Sequence, residues 1–189
     1  MSQYSVILDA NVLYPAPLRD ILVEAAYRNI YRARWTEKIH EEWIENLLED
    51  RPDLSRSSLE RTRLAMDNAI EDCLITGYES IIDVLDLPDP DDRHVLAAAI
   101  VGRCDAIVTS NLKHFPKDVC MSFGIEPIDP DTFLYSQMDL ATGAFCEAVK
   151  TVRQKLRNPP KTVDEYLQTL KQQDLVILAA ALEQYAGVL

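Results

Sequence analysis

Two acidic segments far apart in the chain carry the residue types that hold hard cations. The first is Val6-Ile7-Leu8-Asp9-Ala10-Asn11, an apolar run ending in Asp-x-Asn. The second is Asp89-Pro90-Asp91-Asp92, which opens an apolar, helix-like run. A third pair, Glu41-Glu42, stands between them on another expected helix. Carboxylates that converge from separate elements make an oxygen site for a divalent cation such as Mg²⁺, which keeps several of its waters. A cation held this way can drive phosphodiester hydrolysis.

Each acid also has an ordinary explanation. A charged residue after a buried strand, as at Asp9, is common for solubility. Asn11 strengthens the functional reading, because its amide can hydrogen-bond the loop and fix the Asp9 rotamer. Helical steps of about 100° let only one of Glu41 and Glu42 face inward. Glu42, beside Trp43 and three after Ile39, lies nearer the apolar face, while Glu41 falls on an outer stripe with Glu37 and Glu45. Asp89, Asp91 and Asp92 could simply cap a helix, a role worth about 0.5–2 kcal/mol. Three acids in four residues exceed what one cap needs. Two like charges about 4 Å apart repel by roughly 1–4 kcal/mol, so a converged Asp9, Glu42 and Asp92 would be costly without a cation. Thr109-Ser110-Asn111 follows an expected strand and faces the same rim as Asp9. Lys113, His114 and Lys117 come next, with His114 read as a loop residue rather than a ligand or base. His40 and His94 have no helical partners that suggest a zinc site.

The elements that would position these residues alternate. Strands are expected at Ser5–Leu8, around Arg34-Trp35, at Asp105–Thr109 and at Gly124–Ile128. Helices are expected over Leu18–Arg32, over Glu37–Glu49 behind a Thr36 cap with Ile39, Trp43, Leu47 and Leu48 inward, and from the capping-box pattern Ser57-x-x-Glu60 to about Cys73. Tyr78–Leu87 could be a short helix or a strand. Asp91 or Asp92 could cap the run Val95–Val101. Strands alternating with helices argue for a parallel sheet covered on both faces. After Asp131 the pattern is helical only, with helices over Leu140–Leu156, Thr162–Gln172 and Asp174–Tyr185. The expected division is residues 1–135 as an α/β domain and 136–189 as a C-terminal helical extension.

At 189 residues and 48% hydrophobic, the chain can bury one sizeable core. No apolar run reaches the roughly 18 residues of a membrane span. Met1-Ser2-Gln3-Tyr4 begins no signal pattern, so a cytoplasmic protein is expected. Cys73, Cys104, Cys120 and Cys146 are widely spaced and read as small core residues. A net charge of −12 argues against bulk electrostatic binding of nucleic acid but leaves a nuclease open, because substrate contact is local.

Four segments in order carry a resemblance: Leu8-Asp9-Ala10-Asn11-Val12-Leu13, Glu42, Asp92-Arg93-His94-Val95-Leu96-Ala97-Ala98-Ala99, and Ile107-Val108-Thr109-Ser110-Asn111-Leu112-Lys113-His114-Phe115. Over roughly Tyr4 to Tyr135 the chain resembles the PIN-domain ribonucleases, most nearly the VapC-type toxins of bacterial toxin–antitoxin pairs. The part after about Ser136 resembles a helical extension found in a subset of them. The resemblance implies an α/β/α sandwich on a short parallel sheet and cleavage of RNA with Mg²⁺ or Mn²⁺. It implies Asp9, Glu42 and Asp92 as catalytic, metal-binding acids and a cognate small antitoxin as partner, with a homodimer common. Asn11, Thr109 and Asn111 would support those acids, and Lys113 and Lys117 would meet the RNA backbone. The family's usual fourth acid, in a Thr-x-Asp segment, falls on Asn111, which can coordinate but brings no charge. That departure keeps a catalytically weak PIN-like binding module open, with a metal-dependent DNA flap nuclease a third reading.

Overall fold

The computed structural model describes residues 4–189; Met1, Ser2 and Gln3, on which the expectation of no leader rests, lie outside the described residues. In chain order the elements are β1 (Ser5–Leu8), α1 (Ala10–Leu13), α2 (Ala16–Tyr27), β2 (Arg32–Arg34), α3 (Glu37–Asp50), α4 (Arg56–Ala69), α5 (Arg93–Val101), β3 (Ala106–Val108), α6 (Lys117–Ser122), β4 (Glu126–Ile128), α7 (Pro130–Leu140), α8 (Thr142–Lys155), α9 (Val163–Lys171) and α10 (Val176–Leu182). Short 3-10 turns cover Glu79–Val84, Pro90–Asp92, Leu112–His114 and Glu183–Tyr185. Two compact units result. One holds the residues through Tyr14 together with Arg32–Asp129; the other holds Pro15–Tyr31 with Pro130–Leu189. The division expected after residue 135 falls inside α7, and α2 joins the C-terminal helices.

The first unit is built on a parallel sheet of order β2-β1-β3-β4. Ile7 pairs with Arg34 on one side and Ile107 on the other, and Ile107 pairs with Pro127. Val6, Ile7, Leu8, Ala106, Ile107 and Val108 have no exposed surface, which is why β1 and β3 read as unbroken apolar runs rather than alternations. Pro127 sits on an edge strand, where a missing N–H is tolerated. The chain passes from β1 to one neighbour, β2, and later to the opposite neighbour, β3. In open parallel sheets, ligands bind beyond the strand carboxyl ends at such a reversal. Asp9 and Thr109 are the residues that follow β1 and β3.

Thr36 caps α3 by accepting from the Ile39 N–H at 3.1 Å. The buried face of α3 is Ile39, His40, Trp43 and Ile44, with Leu47 and Leu48 only half-buried. This corrects the expected inner face. His40 takes an inward place because polar partners meet it there: the Trp43 indole N–H donates to Nδ1 at 2.9 Å, and Nε2 lies 3.0 Å from Asp67 of α4. The Trp35 indole donates to the same Asp67 oxygen at 2.8 Å. The cap of α4 is Ser55, not Ser57: its hydroxyl accepts from the Ser58 N–H, while Glu60 pairs with Arg63. Tyr78–Leu87 contains neither a strand nor an α-helix, only the 3-10 turn. Val95 to Ala99 of α5 are wholly buried, and the helix packs on β1 and β3.

In the second unit α2 packs against α8, and α10 against α7 and α9. Glu24 of α2 is buried and held by Arg28 at 3.1 Å and Lys155 at 2.7 Å. Asp131 accepts from the backbone N–H groups of Ile177 and Leu178, each at 2.8 Å, and so caps α10. Thr162 and Glu165 form a reciprocal capping box on α9. Helix α7 is an addition to the expected helices; the apolar run entering Leu140 belongs to it, and α8 starts separately at Thr142.

All four cysteines are free and buried. Burial pushes the Cys73 thiol up to about 12 and those of Cys104 and Cys120 up to about 11, so they behave as inert small apolar groups. Among the described residues no helix is long and apolar enough to cross a membrane.

Candidate active site

A cleft of about 460 Å³ in the first unit is lined by Asp9, Ala10, Asn11, Tyr14, Glu42, Asn46, Glu49, Asp50, Asp91 and Asp92. Four stretches supply it: the end of β1, α1 with Tyr14 after it, one face of α3 and the 3-10 turn before α5. Asp9, Glu42 and Asp92 are thus brought together from positions far apart in the chain. Glu41, on the outer side of α3, is exposed and does not line the cleft.

Asp9 is only 4% exposed. Its Oδ1 accepts from the Ala10 N–H at 2.7 Å, which caps α1. Its Oδ2 accepts from the Thr109 hydroxyl at 2.7 Å and from the Asn11 amide at 2.5 Å. The Asn11 amide also reaches the Thr109 oxygen at 3.0 Å, while its own oxygen accepts from the Ser110 N–H at 3.0 Å. The ends of β1 and β3 are therefore stitched together around one carboxylate, which fixes its direction. Burial raises the Asp9 carboxyl to about 6; the charges of Asp92 and Glu42 push the same way, against the Thr109 and Ala10 hydrogen bonds. Desolvation is the main cause, as for a carboxyl taken out of water, and the neighbouring acids add to it.

Asp92 is half-buried, and burial raises its carboxyl too, with His114 opposing. Its side chain makes no cap bond to α5. The capping work in this turn is done by Asp89, which accepts from the Asp91 N–H at 3.0 Å. That corrects the expectation that Asp91 or Asp92 caps α5 and leaves the Asp92 carboxylate to the cleft. Glu42, 33% exposed at its side chain, has His94 Nε2 2.8 Å from Oε1 and the Lys38 ammonium 4.0 Å from the same atom.

The sequence reads His114 as a simple loop residue, and the structure departs from that. Its Nδ1 lies 2.7 Å from Asp92 Oδ2, 3.5 Å from Asp89 Oδ2 and 2.9 Å from the Asn111 side-chain amide. Asp89, Asp92 and His114 together offer ligand atoms within 4.8 Å of one another. No spacing in the sequence signals this, because the 3-10 turn Leu112–His114 sets it. Asn111 binds Thr109 through its backbone N–H at 3.0 Å and turns its side chain to His114, outside the cleft lining. Lys113 and Lys117 are exposed and also outside the lining; Lys117 lies 3.7 Å from Glu126. Tyr14, Asn46, Glu49 and Asp50 were not anticipated. Glu42, Asn46, Glu49 and Asp50 follow i, i+4, i+7, i+8 spacing, so one helix face could have been read from them. The Tyr14 hydroxyl donates to Asp50 at 2.7 Å.

The described residues that line the cleft are acids, amides, a phenol and Ala10, with no lysine or arginine among them. An oxygen donor set of this kind suits a hard divalent cation. Comparison with known proteins adds to this. Residues 5–113 match the family model described as PIN domain, and residues 130–184 match one described as VapC50 C-terminal domain. The chain is similar to "Putative ribonuclease VapC50" of Mycobacterium tuberculosis, 36% identical over 106 residues. That match covers 56% of this chain and 62% of the relative, so it spans less than two thirds of the relative's length. No solved structure matches the chain.

Proposed function

The chain belongs to the PIN-domain family, and on that footing we propose that it is a Mg²⁺- or Mn²⁺-dependent endoribonuclease, the toxin of a toxin–antitoxin pair. The observation that carries this reading is the convergence of Asp9, Glu42 and Asp92 on one cleft, with the buried Asp9 held above its ordinary range. Asp9 and Asp92 would hold the cation and Glu42 would complete the set. When bound, the cation would supply the missing positive charge, polarise the scissile phosphate and lower the pKa of a water.

The remaining residues have separable tasks in this reading. Thr109 and Asn11 keep Asp9 aimed, and Glu42 orients the attacking water. Asn111 supports the rim through Thr109 and His114. Lys113 and Lys117, exposed beyond β3, meet RNA phosphates in contacts that salt weakens. The resemblance to VapC-type toxins supports a small antitoxin as partner, a homodimer and action in the cytoplasm. A small DNA-binding protein encoded in the neighbouring reading frame would support the pairing.

Purified protein offered an RNA pool and branched DNA, with Mg²⁺, with Mn²⁺ or with EDTA, tests the activity. RNA cleavage confined to the divalent-cation samples is expected. Preferential cutting of the branched DNA would favour a flap nuclease. The second reading, a catalytically weak binding module, is favoured by one observation, the amide of Asn111 at the fourth acid's position. It would prevail if no RNA were cut and calorimetry showed no divalent-cation binding.

A further inference from the structure

We infer that His94 is a positioning residue that holds the Glu42 carboxylate for cation binding, an inference that rests on the reading of Glu42 as part of the metal site. His94 is 1% exposed, on the first turn of α5. Its Nε2 stands 2.8 Å from Glu42 Oε1. Its other ring nitrogen, Nδ1, is buried with no hydrogen-bond partner. A bare nitrogen lone pair facing a carboxylate is repulsive, so Nε2 carries a proton and donates to Glu42, while Nδ1 is left as an orphaned polar atom. Neighbouring positions Val95 to Ala99 are filled by apolar side chains without exposed surface.

An apolar residue would fill this place without the orphaned atom, since a buried polar group without a partner is a net cost. The imidazole gains one thing in return, its contact with Glu42. Glu42 has few other restraints: it is one-third exposed, and the Lys38 ammonium reaches it only at 4.0 Å, from an exposed side chain. A carboxylate on a solvent-washed helix face samples several rotamers. A rigid donor on α5, the helix that follows Asp92 directly, holds the Glu42 carboxylate in place relative to Asp92. Histidine and carboxylate partners of this kind commonly tune metal affinity about 10–100-fold.

The test compares wild type with His94→Leu, His94→Gln and Glu42→Gln. The measurements are Mn²⁺ affinity by titration calorimetry, melting temperature in EDTA, and kcat and KM for RNA cleavage at saturating Mn²⁺. We expect His94→Leu to melt at or above wild type in EDTA, to bind Mn²⁺ about 10-fold or more weakly, and to lose kcat with KM little changed. His94→Gln, which restores an N–H near the same place, should recover most of the affinity. If the leucine variant does not fold, His94→Asn, whose shorter amide stops short of Glu42, is read in its place. Unchanged Mn²⁺ affinity in the donor-free variant overturns the inference, and so does a lowered melting temperature with intact Mn²⁺ affinity, which would make His94 a packing residue. If Glu42→Gln itself leaves Mn²⁺ affinity unchanged, the assignment of Glu42 to the metal site fails, and the inference with it.

Discussion

At the scale of single residues, Asp9 carries the tension in this protein. The fold buries it, anchors both oxygens and still leaves its carboxyl at about 6 against an ordinary 3.8. An acid whose folded value is raised contributes stability below its ordinary value, and that contribution is lost as pH rises through the folded value. Without metal, the ionised Asp9 therefore costs about 3 kcal/mol at neutral pH. Asp9→Asn removes the charge but sets an amide N–H against groups that donate to the carboxylate, so the pH dependence of its stability is the informative quantity. The difference in melting temperature, variant minus wild type, is expected to be larger in EDTA at pH 7 than at pH 4, while cleavage is lost. Melting curves across that pH range check it; a difference that stays constant from pH 4 to pH 7 would contradict the raised value. The three acids were legible in the sequence because their neighbours marked strand end, helix face and turn. His114 and His94 were not, because their acidic partners, Asp92 and Glu42, come from other elements and no periodicity connects them.

At the scale of elements, α3 is the part that both holds the fold and shapes the site. One side carries His40, which has no exposed surface and links Trp43 to Asp67. The opposite requirement, an acidic face toward the cleft, is met by Glu42, Asn46, Glu49 and Asp50. Burial lowers the His40 value, with Asp67 opposing. A histidine kept neutral by the fold favours folding above its ordinary 6.5, and that contribution falls away as pH drops below 6.5, where the unfolded chain takes up a proton. His40→Gln, able to accept from Trp43 and donate to Asp67, should flatten this part of the acid dependence. The difference in melting temperature between wild type and variant, followed from pH 7.5 to 5.5, isolates the effect from that of Asp9; a constant difference would contradict it. Here the sequence was informative about location and less so about orientation. The Thr36 cap placed the start of α3 correctly, since capping chemistry is local. Apolar spacing points inward at Leu47 and Leu48, whereas the helix buries His40 and Ile44, because hydrophobicity carries no sign of a histidine satisfied by Asp67.

At the scale of the whole molecule, the chain order hides its organisation. The sheet unit is interrupted by residues 15–31, which fold with the C-terminal helices. Apolar periodicity showed that α2 is a helix but not which helices it packs on, so the sequence division at residue 135 could not foresee the unit that begins at Pro130 and includes α2. The β-α alternation, by contrast, was enough to indicate the parallel sheet and hence the crevice between β1 and β3. The net charge of −12 and the lack of lysine or arginine among the described residues that line the cleft leave it negatively charged, a charge that a bound cation would offset for an approaching phosphodiester. The most direct test is the initial rate of RNA cleavage at saturating Mn²⁺ for Asp92→Asn beside wild type, with circular dichroism and melting confirming that both are folded. Asp92 is half-buried and caps nothing through its side chain, so the amide should leave the fold intact. The expected result is a loss on the order of 100-fold or more; a folded variant cleaving within about twofold of wild type would contradict the account of this cleft as a metal-dependent ribonuclease site.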